Sequence, residues 1–234
     1  MSNPHLNINI RVRDGKFGGY LAKPKSGQGP GILVIQEIFG VNKVMRDICD
    51  WYAGQGYFAL CPDIFWRQEP GVDITDQSQD EWNKAFALYK GFDEAKGVDD
   101  LIVALASLRA TTGVSGKIGV TGYCLGGKLT YLMACRSTCD AAVGYYGVGI
   151  DAALDEARNI KKPLMLHIAA KDGFVPAEAQ AKIKAALGGN KLVTLHSYAE
   201  DDHAFCRVGG KHYNKASADL ANGRTLEFFR KNLG

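Results

Sequence analysis

Four side chains of the types used in acyl transfer each follow an apolar segment of the chain. They are Glu37, Cys124, Asp172 and His203. The carboxyl ends of parallel strands lie along one edge of a sheet, and ligands bind outside that edge. We therefore expect the four side chains to converge there. A thiol, an imidazole and a carboxylate would supply a nucleophile, a general base and a group that orients the base.

Cys124 lies in the hexapeptide Gly122-Tyr-Cys-Leu-Gly-Gly127, between a predicted strand and a predicted helix. This pattern is a nucleophile elbow with cysteine in place of serine. Glycines flank the nucleophile because its backbone is strained and tightly packed, and the helix N-terminus favours a thiolate. The backbone N–H groups of Leu125 and Ile38 are the predicted oxyanion donors. Cysteine is also a common buried apolar residue, but the flanking glycines favour the nucleophile.

His203 is predicted to be the general base, and Asp172 the carboxylate that fixes its tautomer. The chain order of nucleophile, acid and histidine is the order found in α/β hydrolases. Asp172 has a second interpretation, as a cap of the helix that begins near Pro176. Three rival carboxylates lie too close to His203 along the chain to replace Asp172 easily: Glu200, Asp201 and Asp202.

The elements that must position these residues alternate along the chain. A hairpin is predicted around Asp14-Gly15, and the segment 66–97 has no strand pattern and is predicted to form one or two helices over the sheet. The predicted strands cover 31–35, 57–61, 117–122, 141–146, 163–169 and 192–198, and the helices cover 41–54, a segment ending near 110, 124–135, 176–187 and 214–231. This alternation predicts an α/β fold, with a mostly parallel central sheet flanked by helices on both faces and an N-terminal hairpin. A single domain over residues 1–234 is expected.

Composition excludes several classes of function. The 234 residues carry a net charge of only +3, with dispersed basic residues, so neither nucleic acid nor a membrane is an expected partner. The N-terminus lacks the layout of a signal peptide and the six cysteines form no CxxC pair, which favours a reducing cytoplasm. The expected partner is a small ester or lactone, and the expected assembly is a monomer or a weak homo-oligomer.

The chain resembles the dienelactone hydrolase (carboxymethylenebutenolidase) family. The segments that carry the resemblance are 36–40, 61–63, 122–127, 144–149 and 203–207. The resemblance implies an α/β-hydrolase fold with a triad of Cys124, His203 and Asp172, and no metal or cofactor. It also implies that Glu37 contacts the thiol in the resting enzyme and moves when substrate binds, which would help to generate the thiolate.

Family substrates are lactones that bear a carboxylate, and Arg207 stands at a family arginine position. A second family arginine aligns with Trp82, so the charge preference for the substrate is open at this point. Arg67 is a possible replacement, but a surface role for it is favoured. The other predicted substrate-binding residues are aromatic: Phe39, Phe86, Tyr89 and Tyr146. Residues 82, 86 and 89 also have the spacing of a helix face that packs into a core.

The sequence therefore predicts a cysteine-dependent hydrolase of carboxylic esters or lactones, with 4-carboxymethylenebut-2-en-4-olide as the leading substrate. Two alternatives stay open. One keeps the triad but acts on a neutral ester or thioester, as Trp82 in place of an arginine indicates. The other is a ligand-binding or redox-responsive protein that has lost turnover, and its motive is the number of cysteines.

Overall fold

The computed structural model of the protein describes residues 3–234 and has an α/β fold whose strands are mostly parallel. This confirms the predicted fold class. The chain divides into two compact units, the first ending at Ile118 and the second spanning Gly119–Gly234. The expectation of a single domain stays a prediction. Within the described residues, no helix combines the length and the apolar character needed to cross a membrane.

The first unit contains the N-terminal hairpin and two parallel strands. Its elements are β1 (Ile8–Val12), β2 (Gly15–Ala22), β3 (Gly29–Ile35), α1 (Lys43–Gly54), β4 (Phe58–Pro62), α2 (Gln79–Lys90) and α3 (Glu94–Arg109). Its strands lie in the order β1-β2-β4-β3, with β3 and β4 parallel and the other pairs antiparallel. The hairpin turn consists of Arg13 and Asp14, because Val12 pairs with Gly15. The predicted turn was one residue too far along the chain.

The second unit is parallel throughout. Strand β5 (Val114–Tyr123) leads into it, followed by α4 (Leu125–Arg136), β6 (Ala141–Tyr145), β7 (Leu164–Ala169), α5 (Ala177–Leu187), β8 (Val193–Tyr198) and α6 (Lys215–Leu233). The strands lie in the order β5-β6-β7-β8, and each pair is parallel. Every residue of β6 and β7 is buried, as expected for strands covered on both sides.

Helices cover both faces of the sheet in the second unit. A Cβ on Gly144 would lie 2.9 Å from the carbonyl oxygen of Gly127, at the start of α4. The next residue, Tyr145, points its hydroxyl at Asn222 and Thr225 on α6. Because successive strand residues face opposite sides of a sheet, α4 and α6 pack on opposite faces. The predicted flanking of the sheet by helices is thus observed here.

One segment without a strand pattern agrees with the sequence-based expectation, and another segment differs from it. Segment 66–97 contains α2 and the beginning of α3, in agreement with the prediction of one or two helices. Residues Ile150–Asn159 form a 3₁₀ helix that the sequence did not reveal, with a kink at Ala153. Short 3₁₀ segments are frequent as connectors between longer elements.

Candidate active site

The backbone of Cys124 is held in a strained conformation between β5 and α4. Its φ of 56° and ψ of −115° lie in a region that residues with a side chain rarely adopt. Its N–H donates to the carbonyl oxygen of Tyr145 at 3.1 Å, and its own carbonyl accepts from Gly127 and Lys128 at 3.0 and 3.3 Å. These bonds fix the sharp turn that places the thiol at the start of α4.

Glycines next to Cys124 let the strand, the helix and the neighbouring loop approach closely. A Cβ on Gly122 would lie 2.2 Å from the carbonyl oxygen of Gly126. A Cβ on Gly127 would lie 2.4 Å from the carbonyl oxygen of Tyr145 and 2.8 Å from the Cα of Gly147. Real Cβ atoms do not come this close to backbone atoms. Steric crowding therefore explains why these two positions of the hexapeptide are glycine.

We expect Gly127→Ala to lower the free energy of unfolding by about 2–3 kcal/mol, because the new methyl group forces the backbone apart. Urea denaturation followed by circular dichroism measures the change. The matched control is Gly223→Ala, also within a helix, where a Cβ meets no atom within 4 Å. Alanine should stabilise that helix by up to about 1 kcal/mol. Equal free energies of unfolding for the two variants would contradict the steric argument.

Asp172 and His203 form a buried pair at the ends of β7 and β8. Nδ1 of His203 lies 2.9 Å from Oδ2 of Asp172 and 3.1 Å from Oδ1. Oδ1 also accepts from the backbone N–H groups of Phe174 and Val175, at 2.8 and 3.2 Å. Asp172 therefore orders its own turn and holds the imidazole. The alternative interpretation as a helix cap is wrong, because α5 begins after Pro176 and no side chain caps it.

The imidazole of His203 is enclosed by aromatic rings and by charge. The rings of Phe174 and Tyr146 pack edge-on against it, with centroids 4.9 and 5.1 Å away. Burial by itself lowers the pKa of His203, whereas the negative charge of Cys124 and the hydrogen bond to Asp172 raise it, and the result is a pKa of about 10. The raised pKa favours the imidazolium form of the ring. An imidazolium is the partner that a cysteine nucleophile requires.

The second ring nitrogen of His203 is left available for chemistry. Nε2 is buried and has no hydrogen-bond partner among residues 3–234. Cys124 raises the pKa of the ring through its charge and through a side-chain interaction that does not meet the geometry of a formed hydrogen bond. Catalytic hydrogen bonds are often long before substrate binds. A buried N–H without an acceptor is costly, and a reacting atom or a water placed there would satisfy it.

The loop that carries His203 is anchored to its surroundings on both sides. The N–H of Lys171 donates to the carbonyl oxygen of Asp201 at 2.9 Å. Asn214, which caps α6, donates from Nδ2 to Oδ1 of Asp201 at 2.7 Å. These contacts give Asp201 a structural role, and they agree with the assignment of Asp172 as the carboxylate that pairs with His203.

Three further predicted residues lie in the second unit. Leu125 is the first residue of α4, so its N–H has no acceptor inside the helix. Tyr146 has a φ of 38° and is buried against His203, as expected for a wall of the site. Arg207 is on the His203 loop and only 7% exposed, so its guanidinium lies within the protein.

The remaining predicted residues lie in the first unit. Glu37 and Ile38 follow β3 directly and are 2% and 5% exposed. A buried carboxylate at the end of a strand is uncommon, which agrees with a special role for Glu37. The carbonyl oxygen of Glu37 accepts from the side-chain amide of Gln36 at 3.2 Å, and Oε1 of the same amide accepts from the N–H of Ile64 at 3.3 Å. The turn after β3 is thereby fixed.

Trp82 is the centre of an aromatic cluster on α2. Its ring packs edge-on against Phe39, with centroids 5.0 Å apart, and stacks on Phe86 at 5.4 Å. Its Nε1–H donates to the carbonyl oxygen of Asp76 at 3.0 Å. The side chains of Phe86 and Tyr89 are exposed to solvent. This face of α2 presents aromatic surface where the family resemblance leads one to expect a cation.

Arg67 does not replace the missing arginine. Its guanidinium forms two hydrogen bonds with Asp14, at 2.6 and 3.0 Å, and two with Asp100, both at 2.9 Å. It also lies 4.3 Å above the ring of Trp66. All these partners hold the hairpin, the loop after β4 and α3 together, so Arg67 is a structural residue.

The roles of two residues near His203 were not predicted from the sequence, although Asp202 was named there as a rival carboxylate. Phe174 is 48% exposed, yet its ring packs on the imidazole. Asp202 accepts hydrogen bonds from two loops at once. The signal for Phe174 was its place two residues after Asp172, in the loop that follows β7. Asp202 gave no such signal, because three acidic residues in a row resemble an ordinary solvated loop.

Among residues 3–234, no group of three or more histidine, cysteine, aspartate or glutamate side chains is arranged to hold a metal ion. All six cysteines are free thiols. Cys124, Asp172 and His203 follow β5, β7 and β8 of the second unit.

Comparison with known proteins shows which family the chain is similar to. Residues 17–233 match the model of the dienelactone hydrolase family. A sequence from Azospirillum brasilense, provisionally named a carboxymethylenebutenolidase, is 52% identical over 94% of this chain and 96% of its own length. The carboxymethylenebutenolidase of Pseudomonas putida is 40% identical, over 94% of both chains. A crystal structure from Klebsiella pneumoniae, provisionally titled a dienelactone hydrolase, superposes with a TM-score of 0.83 at 28% identity, over 95% of this chain and 96% of that one.

Proposed function

The chain belongs to the dienelactone hydrolase family, and from that membership we propose that it hydrolyses carboxylic esters and lactones with Cys124 as the nucleophile. The enzyme class, a hydrolase acting on ester bonds, follows from the family. The mechanism rests chiefly on the buried pair of Asp172 and His203. The Nε2 atom of His203 has no hydrogen-bond partner among the described residues, and the charge of Cys124 raises the pKa of the ring.

The first half of the proposed reaction opens the lactone. The Cys124 thiolate attacks the carbonyl carbon, and the new C–S bond forms as the carbonyl electrons move onto oxygen. When the tetrahedral intermediate collapses, the ring C–O bond breaks and the leaving oxygen takes the proton from Nε2 of His203. The products of this half are a thioester on Cys124 and a neutral imidazole.

The second half hydrolyses the thioester. Neutral His203 accepts a proton from water at Nε2 while the water oxygen attacks the thioester carbonyl. The C–S bond then breaks, the carboxylic acid leaves, and the thiolate and imidazolium are restored. Asp172 stabilises the imidazolium at both stages and stays ionised throughout.

Three further groups complete the proposed machinery. The N–H of Leu125, at the first position of α4, is a donor to the oxyanion, and we assign the second donor to Ile38. The role of Glu37 is to influence the ionisation of Cys124 when substrate binds. The assignments of Ile38 and Glu37 rest on their place directly after β3 and on the family resemblance, and the burial of both residues supports them.

We propose a lactone bearing a carboxylate, 4-carboxymethylenebut-2-en-4-olide, as the substrate, with Arg207 as the cation that recognises it. The aromatic cluster of Phe39, Trp82 and Phe86 favours a second candidate, a neutral ester or thioester. The two candidates differ in a single group of the substrate, the free carboxylate, so they are separable by chemistry alone.

The test compares the carboxylated lactone with its methyl ester as the matched neutral analogue. We expect kcat/KM for the free acid to be about 10- to 100-fold higher, the effect of one hydrogen-bonded charge pair. Steady-state kinetics at several salt concentrations measures it. Equal values for the two lactones would replace the first candidate with the neutral one. A protein that acylates once and then stops, with no steady turnover of either lactone, would refute hydrolysis itself.

We also propose a cytoplasmic location and a monomeric or weakly associating protein. Six free thiols, one of them reactive, favour a reducing compartment. A thiolate that pairs with an imidazolium oxidises readily where the surroundings are oxidising.

A further inference from the structure

The carboxylate of Asp202 lies between the two loops that carry the catalytic acid and the catalytic histidine. Its Oδ1 accepts from the backbone N–H of His203 at 2.6 Å and from the backbone N–H of Gly173 at 3.0 Å. Its Oδ2 lies 3.3 Å from Nδ1 of His212. Oδ1 of Asp202 therefore links the backbone of Gly173, which follows Asp172, to the backbone of His203.

The electrostatics of Asp202 match this geometry. Burial raises the pKa of Asp202, but the N–H donors of His203 and Gly173 and the charges of His212 and His203 lower it, and the net shift is downward. The group is a carboxylate at neutral pH. Hydrogen bonds from N–H groups to an ionised acceptor are shorter and stronger than those to a neutral one.

We propose that Asp202 is a positioning residue that fixes the distance between Asp172 and His203 by holding the backbone of both loops. This inference rests on the proposed function of those two residues. It extends that function to a carboxylate that touches neither the reacting atoms nor the imidazole ring. Asp202 acts through the main chain, while Asp172 acts through the side chain.

A second link between the same loops allows a matched control. Nζ of Lys171 and Oε2 of Glu200 form an ion pair at 2.5 Å, and their side chains are 58% and 78% exposed. Exposed ion pairs contribute little to stability or order. Glu200→Ala removes this link and leaves the Asp202 hydrogen bonds in place, so we expect kcat and KM within about twofold of the native values.

The main test compares Asp202→Ala with Asp202→Asn in steady-state hydrolysis of a lactone. The asparagine oxygen still accepts from Gly173 and His203, whereas alanine accepts from neither. We expect alanine to lower kcat by roughly 10- to 100-fold with KM within about twofold, because small misplacements of catalytic groups have effects of this size. Asparagine should stay within about threefold of the native kcat.

A second readout does not depend on turnover. The pKa of His203 is measured by NMR titration of its ring in the native protein and in both variants. We expect alanine to lower it by about one unit, because a loosened hydrogen bond to Asp172 stabilises the imidazolium less. Asparagine should shift it by less than half of that. This measurement decides the role of Asp202 even if the native protein hydrolyses no lactone, an outcome that would refute the proposed function alone.

Three results would overturn the proposal. The first is native kcat and native His203 pKa in a folded alanine variant. The second is an equal loss of kcat in the alanine and asparagine variants, since charge and not hydrogen bonding would then be the cause. If the alanine variant does not fold, Asp202→Ser takes its place, because a serine hydroxyl is too short to reach both N–H groups. A folded serine variant with native kcat and native pKa is the third.

Discussion

Replacing Cys124 with alanine is expected to lower kcat for lactone hydrolysis by about 10⁴- to 10⁶-fold, the range found when a covalent nucleophile is removed. The serine variant should fall between alanine and the native enzyme. Its hydroxyl is a far weaker acid than a thiol, and His203 would have to remove its proton during the attack. Stopped-flow and steady-state kinetics on the same lactone measure both variants.

The control for Cys124 is another thiol on the same helix. Burial raises the pKa of Cys135 to about 11, so this thiol is protonated at neutral pH and is a poor nucleophile. Cys135→Ser should therefore keep native kinetics. Native turnover in Cys124→Ala would eliminate covalent catalysis by this residue, whatever the behaviour of the control.

Asp172→Asn is expected to lower kcat by about 10⁴-fold while leaving the fold intact. The asparagine has nearly the same shape and can still accept from Phe174 and Val175. However, it carries no charge to stabilise an imidazolium, and its amide group no longer specifies the tautomer of His203. Urea denaturation of the variant separates a catalytic loss from a loss of structure, and a loss of less than about tenfold would remove Asp172 from the triad.

The same substitution should move the pH profile in a defined direction. In the native enzyme His203 stays protonated until the pH approaches about 10, and the protonated ring is the acid that the leaving group needs. With phenyl acetate as substrate, kcat/KM should fall as the pH rises through that value. Without the Asp172 hydrogen bond the pKa of His203 drops, and the alkaline limb should move to lower pH. An unchanged alkaline limb would show that another group controls it.

The sequence was sufficient to predict the triad because the information is local to strand ends. Each of Cys124, Asp172 and His203 follows an apolar strand. The carboxyl ends of parallel strands lie along one edge of the sheet, so no other information is needed to bring the three residues to that edge. The elbow was equally predictable from the sequence, because the close backbone contacts at positions 122 and 127 permit only glycine. The fold class and the pairing of Asp172 with His203 therefore followed from the pattern, and the catalytic roles of the three residues stay a prediction.

Other features depend on contacts that no pattern records. The role of Asp202 arises because β7 and β8 end at the same level, so a side chain on one loop reaches the N–H groups of both. Arg67 is exposed, as predicted, but its ion pairs with Asp14 and Asp100 and its contact with Trp66 join residues that are distant along the chain. Contacts between residues that are distant along the chain decide such roles. A short segment of a single sequence does not reveal these contacts.

The placement of the triad on loops after β5, β7 and β8 has a consequence for folding. Each of these strands pairs in parallel with a neighbour reached only through a helix or a long connection, so every pairing is distant along the chain. Such pairings form slowly, after local helices. An intermediate with its helices formed and β8 undocked would lack His203 and be inert. After dilution from denaturant, hydrolysis would then recover later than the helical circular dichroism signal. The recovery of enzyme activity would therefore report when the last strand docks.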